Sequence, residues 1–196
     1  MKRLRVALAG NPNAGKSTIF NKLTGSRQHV GNWPGKTVAR KEGYFDVGSA
    51  RVMLVDLPGT YSLSAYSPEE QIARDYIVRE EPDVVVNVVD AANLERNLYL
   101  TTQIMETGVP FIVVLNMSDL AERRGYQIDH ATLSRRLGGV PVIPAVASQE
   151  EGLAEIRAAI MAGAARPTQN SEQLEGTIDD PGHSSLSRLR QVSSCH

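Results

Sequence analysis

The chain is predicted to fold as an α/β three-layer sandwich, with helices on both faces of a six-stranded, mostly parallel sheet that carries one antiparallel edge hairpin. Three observations carry this expectation. Strand-length apolar runs alternate with helical stretches along residues 1–164, the pattern that winds helices over a parallel sheet. The run Val84-Val85-Val86-Asn87-Val88-Val89 is β-branched almost throughout, as expected of a strand covered on both faces. Finally, GNPNAGKST at residues 10–18 follows directly on the apolar run Leu4–Ala9, the strand–loop–helix setting that a glycine-rich phosphate loop requires.

The elements follow in order. Strands are expected at Leu4–Ala9, Val38–Phe45, Arg51–Asp56, Val84–Val89, Pro110–Asn116 and Val140–Pro144. Helices are expected at Lys16–Leu23, Pro68–Val78, Asn93–Thr107, Ile128–Leu137 and Gly152–Ala162, with Gly108 suited to cap the third of them. The second and third strands are separated only by Asp46-Val47-Gly48-Ser49, which leaves room for a hairpin and not for a crossover helix. The other strands are joined through helices and should run parallel, which places the ligand site at their carboxyl ends.

Four motifs lie at those ends. Gly10, Gly15, Lys16 and Ser17 match G-x-x-x-x-G-K-[ST]. Residues Gly10, Asn11, Pro12, Asn13, Ala14, Gly15, Lys16, Ser17 and Thr18 then form a loop whose backbone N–H groups cradle phosphates at a helix N-terminus. Lys16 supplies a point charge for the β- and γ-phosphates, and Ser17 a hydroxyl ligand for Mg²⁺. Asp56-Leu57-Pro58-Gly59 ends the third strand, with Asp56 placed to hold Mg²⁺ through water and the Gly59 N–H placed to face a γ-phosphate. Asn116-Met117-Ser118-Asp119 ends the fifth strand. A carboxylate at Asp119 can accept from the N1–H and the 2-amino group of guanine, a donor pair that adenine lacks. Taken alone, Ser118 and Asp119 also suit a helix N-cap; beside a phosphate loop, guanine recognition by Asn116 and Asp119 is the stronger reading. Val146, Ala147 and Ser148 follow the last strand, where a backbone N–H can meet the guanine oxygen. In this order the motifs imply a Ras-like P-loop domain that binds GTP or GDP.

Composition is that of an ordinary soluble domain, and the net charge of −1 leaves no footprint for nucleic acid. The single cysteine, Cys195, excludes an intrachain disulfide and suits a reducing compartment. No apolar run approaches the roughly 18–20 residues that span a bilayer, and the short apolar stretch after the N-terminus is not a signal peptide. His29, His130, His183 and His196 are scattered without metal-ligand spacing, so no iron site of several ligands is expected.

GNPNAGKST, Val30-Gly31-Asn32-Trp33-Pro34-Gly35-Lys36-Thr37-Val38, DLPGTYSL at 56–63 and NVVDAANLERNLYLT at 87–101 strongly resemble the N-terminal G domain of the FeoB family of bacterial ferrous iron transporters, over roughly residues 3–163. The resemblance implies slow, Mg²⁺-dependent GTP hydrolysis that regulates or powers Fe²⁺ uptake through a membrane domain, at the cytoplasmic face of the inner membrane. This chain alone should be soluble and cytoplasmic. Residues 31–37 lie where a first switch must sit, with Thr37 able to offer its hydroxyl and carbonyl to Mg²⁺ and the nearby water. Asp56, Leu57, Pro58 and Gly59 form the second switch. Buried packing is one reading of Trp33, the only tryptophan; its short Gly/Pro loop favours an exposed ring or one stacked on the nucleotide. The resemblance also implies an activating K⁺ held by Asn13 and by the carbonyls of Gly31 and Trp33, neutralising charge between the β- and γ-phosphates. The bland reading of Asn13 is a turn former.

Some positions depart from wider GTPase patterns. Thr60 follows Gly59 where a water-positioning glutamine is usual, and Gln71, the nearest glutamine, lies on the next helix. Catalysis should therefore lean on Lys16, Asn13, the two cations and the backbone amides of Gly59 and Thr37, with slow turnover. Met117 replaces the lysine of N-K-x-D and can pack on the purine face. Glu95 and Arg96 read as the solvated first turns of a helix or a contact surface for the rest of a transporter, and Glu122, Arg123 and Arg124 as a solvent-facing cluster. Residues 165–196 are polar, with Pro167, Pro181 and many serines, and read as a disordered tail. The helical and membrane domains of the family are not expected within these residues, so the chain is either a fragment or a stand-alone G domain. A homo-oligomer, a GTP-dependent binding switch and a GTPase of RNA modification or ribosome assembly stay open as alternatives.

Overall fold

The computed structural model describes residues 2–165. The strands are β1 (Lys2–Gly10), β2 (Gln28–Asn32), β3 (Ala39–Val47), β4 (Ala50–Asp56), β5 (Val84–Asp90), β6 (Phe111–Asn116) and β7 (Val142–Pro144). They form one sheet in the order β2-β3-β4-β1-β5-β6-β7. From β4 to β7 every pairing is parallel, while β2, β3 and β4 pair antiparallel. The helices are α1 (Lys16–Thr24), α2 (Pro68–Arg79), α3 (Leu94–Glu106), α4 (Ser118–Arg123), α5 (His130–Arg136) and α6 (Leu153–Gly163).

The sheet has seven strands where six were expected. The additional strand, β2, runs alongside β3 from Gln28 opposite Gly43 to Asn32 opposite Ala39. Its side chains are nearly all exposed, so it has no buried face and shows none of the apolar alternation that betrays a strand. Two helices also differ from expectation. α4 has only six residues, below what periodicity resolves. α5 begins at His130 and not at Ile128, because the Asp129 carboxylate caps it by accepting the Thr132 N–H at 2.9 Å.

The apolar residues divide between the two faces of the sheet. Leu4, Val6, Leu8, Val52, Leu54 and Val86 pack beneath Ile19 and Phe20 of α1 and Ile156 and Ile160 of α6. Ala7, Val55, Val85 and Val113 pack on the other face against Ile72, Tyr76 and Ile77 of α2 and Leu100 and Ile104 of α3. β5 is buried along its first six residues. The one polar residue among those six, Asn87, donates to the Thr101 hydroxyl at 2.7 Å, while its Oδ1 is buried without a partner. A capping box fixes the start of α2: the Ser67 side chain accepts from the Glu70 N–H, and the Glu70 carboxylate accepts from the backbone of Ser67. Apart from Ala165, the segment expected to form a tail lies outside the described residues.

Candidate functional site

Between β1 and α1 the chain turns through the phosphate-binding motif, and two glycines there are dictated by contact. A side chain on Gly10 (φ 151°) would run into the Val88 carbonyl, and one on Gly15 (φ 91°) into the Asn116 carboxamide. Asn13, between them, holds a left-handed φ of 66° and is exposed. The loop closes through the Ala14 N–H on the Asn11 carbonyl at 3.2 Å. Asn11 is buried, and neither its side-chain oxygen nor its nitrogen has a partner within the protein.

Two charges meet below this loop. Lys16 opens α1 and is buried; Asp56 ends β4, and its Oδ1 is buried without a partner. Burial pushes the Lys16 ammonium down and the Asp56 carboxyl up, and each opposes the other's shift by its charge. Charged groups left in this state are poised for a ligand that supplies the missing partners. The second switch lies against the same loop: a Cβ on Gly59 would stand 3.2 Å from the Pro12 Cα. The Thr60 N–H donates to the Gly10 carbonyl at 3.3 Å. The Thr60 hydroxyl is turned away and donates to the Ser62 carbonyl.

On the far side, Asn116 binds three segments together. Its Nδ2 donates to the Ala14 carbonyl at 2.9 Å, and its Oδ1 accepts from the Ala147 N–H at 3.0 Å. The carboxamide expected to read guanine thus also fastens the phosphate loop to the end of β6 and to the 146–148 loop, using one of its two Nδ2 hydrogens. Met117 follows in a left-handed conformation (φ 62°) and precedes α4 without a side-chain cap. Neither Ser118 nor Asp119 acts as an N-cap: the Ser118 hydroxyl donates to the Leu115 carbonyl, and the Asp119 carboxylate pairs with Arg123 one turn on. Arg123, read as part of a solvent-facing cluster, therefore has a partner in the site.

The first switch departs most from expectation. Gly31 and Asn32 belong to β2, and a tight turn follows in which the Trp33 N–H donates to Val38 and the Trp33 carbonyl accepts the Lys36 N–H, each at 3.0 Å. Trp33 is neither exposed nor free to stack on a nucleotide. It is 7% exposed, with its ring edge-on to Tyr76 of α2 at 5.6 Å and the Arg40 guanidinium 4.7 Å from its centre. The large apolar surface of an indole outweighs the Gly/Pro character of its loop. Of the trio Asn13, Gly31 and Trp33, Gly31 sits in the β2–β3 ladder opposite Arg40, and the Trp33 carbonyl accepts the Lys36 N–H. Thr37 is exposed in the same turn.

Gln71 is bound at both ends of its carboxamide, accepting from Lys36 Nζ and donating to the Ala65 carbonyl, each at 3.2 Å, so it does not stand in for the missing water-positioning glutamine. Arg96, read as solvated or as a contact surface, lies 4.2 Å from the ring centre of Tyr61, two residues beyond the second switch. The sequence reading also passed over Lys41, which the ladder sets directly opposite Asp56. Counting back from the hairpin turn at Gly48 and Ser49 would have found it. A cleft of about 940 Å³ lined by Arg3, Arg5, Arg27, Tyr44 and Arg51 opens elsewhere, beside the amino ends of β1 and β4.

A phosphate loop at the carboxyl end of a parallel sheet, with a buried lysine and carboxylate and a stapled base-side loop, defines a P-loop nucleotide-binding domain. Residues 4–160 match the family model for ferrous iron transport protein B. The chain belongs to this FeoB family and corresponds to its N-terminal G domain. It is 55% identical over 164 residues to the Fe(2+) transporter FeoB of Escherichia coli K12, covering 82% of this chain and 21% of that protein. It thus spans about a fifth of the length of the curated relatives it matches. Among solved structures, the FeoB G domain of Methanococcus jannaschii is 49% identical with a TM-score of 0.74, covering 84% of this chain and 99% of that one. The cytosolic domain of Thermotoga maritima FeoB in its GMPPNP form is 43% identical with a TM-score of 0.81, covering 84% and 65%. Among the described residues, no helix is long and apolar enough to cross a membrane, and no three His, Cys, Asp or Glu side chains cluster as a metal site.

Proposed function

We propose that this chain binds GTP and hydrolyses it slowly with Mg²⁺, with stimulation by K⁺, as the G domain of a ferrous iron transporter. The observation that carries the reading is the pair at the mouth of the phosphate loop, Lys16, which is buried, and Asp56, half-buried with its Oδ1 buried and unpartnered. An anion and a divalent cation are what such a pair lacks. Relatives solved with GDP and with GMPPNP support the choice of ligand.

The residues fit Mg²⁺. Ser17 and Asp56 flank the same pocket, and Thr37 is the third donor, delivered when the first switch leaves its turn. When bound, the ion neutralises charge on the β- and γ-phosphate oxygens. Lys16 holds the same phosphates, and the loop N–H groups orient them. The Gly59 amide fixes the attacking water, joined by that of Thr37 once the turn has opened, since Thr60 and Gln71 are engaged elsewhere. Asp119 reads the guanine edge, Met117 covers the purine, and the 146–148 loop meets the base oxygen. Asn13, exposed beside the phosphates, is the protein's side-chain ligand for K⁺; the carbonyls of Gly31 and Trp33 join it only after the turn opens. The partners proposed for the assembled protein are the helical and membrane parts of the transporter, with this domain at the cytoplasmic face of the inner membrane.

The test is GTP turnover with Mg²⁺ in potassium against sodium buffer, for the wild type and Asn13→Ala. Several-fold acceleration by potassium that Asn13→Ala abolishes supports the reading. Equal rates in both salts overturn the potassium role, and guanine nucleotide binding without turnover in any salt makes the domain a binding switch.

A further inference from the structure

The antiparallel pairing of β3 with β4 places Lys41 directly across from Asp56. Residues in that relation project to the same side of the sheet, with Cβ atoms about 4.5–5.5 Å apart. The side is that of α1: four pairs further along, Phe45 and Val52 join its apolar cluster, and midway Gly43 lies against Thr24 and Phe20 of α1. Lys41 is half-buried and forms no ion pair among the described residues, whereas its strand neighbours Arg40 and Glu42 pair with each other. Asp56 likewise leaves Oδ1 buried and unpartnered. Lys16, Lys41 and Asp56 therefore converge with one positive charge in excess, without joining in a closed salt bridge.

We propose that Lys41 is a second positioning cation of the phosphate and metal pocket, adding to the attraction for nucleotide phosphates while competing with Mg²⁺ for Asp56. The inference rests on the nucleotide and Mg²⁺ reading above. The field of Lys41 reaches both partners, lowering the Asp56 carboxyl and the Lys16 ammonium alike. Before nucleotide arrives, Lys41 offsets part of the cost of holding Asp56 ionised in a buried place. Once nucleotide and metal are bound, its charge attracts the first and repels the second. Lys41 thus sets how readily Mg²⁺ is taken up, and so how firmly the ion locks nucleotide in place.

The experiment uses the whole chain with a fluorescent guanosine diphosphate, comparing wild type, Lys41→Met and Lys41→Arg. Two quantities are measured: affinity in the presence of chelator, and the Mg²⁺ concentration that half-maximally slows nucleotide release. Lys41→Met should weaken metal-free binding roughly three- to tenfold and lower the Mg²⁺ midpoint by a similar factor; exposure cuts the effect below that of a buried pair. Lys41→Arg should restore both within about twofold. The opposite directions are the signature, because a loosened hairpin would weaken nucleotide and metal together. No change in either quantity, or a loss of both, overturns the proposal. Failure of the wild type to bind the probe overturns the nucleotide reading itself and is seen before any variant is made.

Discussion

Asn116→Ala should unfasten the nucleotide site and, through it, weaken the entire domain. The side chain is 3% exposed and makes two hydrogen bonds, to the Ala14 carbonyl at 2.9 Å and from the Ala147 N–H at 3.0 Å. Ala14 and Ala147 are themselves 1% and 2% exposed, so water does not readily replace the lost partner. Each buried group left unpaired costs about 1–3 kcal/mol, which for two gives roughly 2–6 kcal/mol. Against a total of about 5–15 kcal/mol for a domain, that is a large share. With a urea slope of about 2 kcal/mol/M, the unfolding midpoint should fall by roughly 1–3 M. The assay is urea unfolding without nucleotide, followed by far-ultraviolet circular dichroism. Asn116→Asp is a demanding companion: it keeps an acceptor for Ala147 but sets a carboxylate oxygen against the Ala14 carbonyl, so a nearly isosteric change should also destabilise. If Asn116→Ala unfolds at the wild-type midpoint and loses only guanine affinity, the carboxamide acts at the base and the staple argument is wrong.

Two further outcomes follow from the same site. Burial holds the Asp56 carboxyl above its ordinary value, so the folded protein keeps this proton to higher pH than the unfolded chain does. Stability therefore falls as pH rises from the unfolded to the folded value, and the cost persists at neutral pH. Asp56→Asn should remove that slope and raise the melting temperature of the nucleotide-free protein by a few degrees, the scale of about 0.5–2 kcal/mol, while weakening Mg²⁺-dependent nucleotide retention; superimposable melting curves across the acid range would refute this. Trp33, buried against Tyr76, should emit in the blue without nucleotide and shift to the red when a non-hydrolysable GTP analogue and Mg²⁺ draw Thr37 out of its turn. An unchanged spectrum at saturating analogue would mean that the indole stays on α2.

The parallel sheet, the phosphate loop and the order of motifs along the chain were legible because each has a local signature: a β-branched run, a glycine pair at fixed spacing, an acidic residue at a strand end. What sequence left hidden depends on relations across the fold. β2 owes its existence to hydrogen bonds with β3 and to no apolar face, so its sequence reads as loop. Trp33 sits in a segment of turn formers, and only the apolar surface of α2 decides that it is buried. Asn116 carries a base-reading pattern, yet its partners at Ala14 and Ala147 are 102 and 31 residues away. Lys41 is silent until the hairpin register is counted.

The two halves of the site are built on different energetics. The phosphate side is rigid: Gly10 and Gly15 are packed against backbone and carboxamide, and Asn116 fastens the loop. There the cost is carried in unpaired polar groups, Lys16, Asp56 and the buried Asn11, which a ligand can satisfy without moving the frame. The first switch stores less: its turn and the Trp33 ring are held by neighbours, and only the indole N–H of Trp33 is buried without a partner there. In the proposed mechanism, bringing Thr37 and the carbonyls of Gly31 and Trp33 to a bound nucleotide requires giving up the Trp33 packing and the hydrogen bonds of the turn. Closure then depends on how strongly the γ-phosphate and its cations reward those donors, and a ligand that makes no differential contact with Thr37 leaves the hairpin in place. In the proposed mechanism GDP and GTP differ at that contact, which makes the folded hairpin, and not the phosphate loop, the element that discriminates between them.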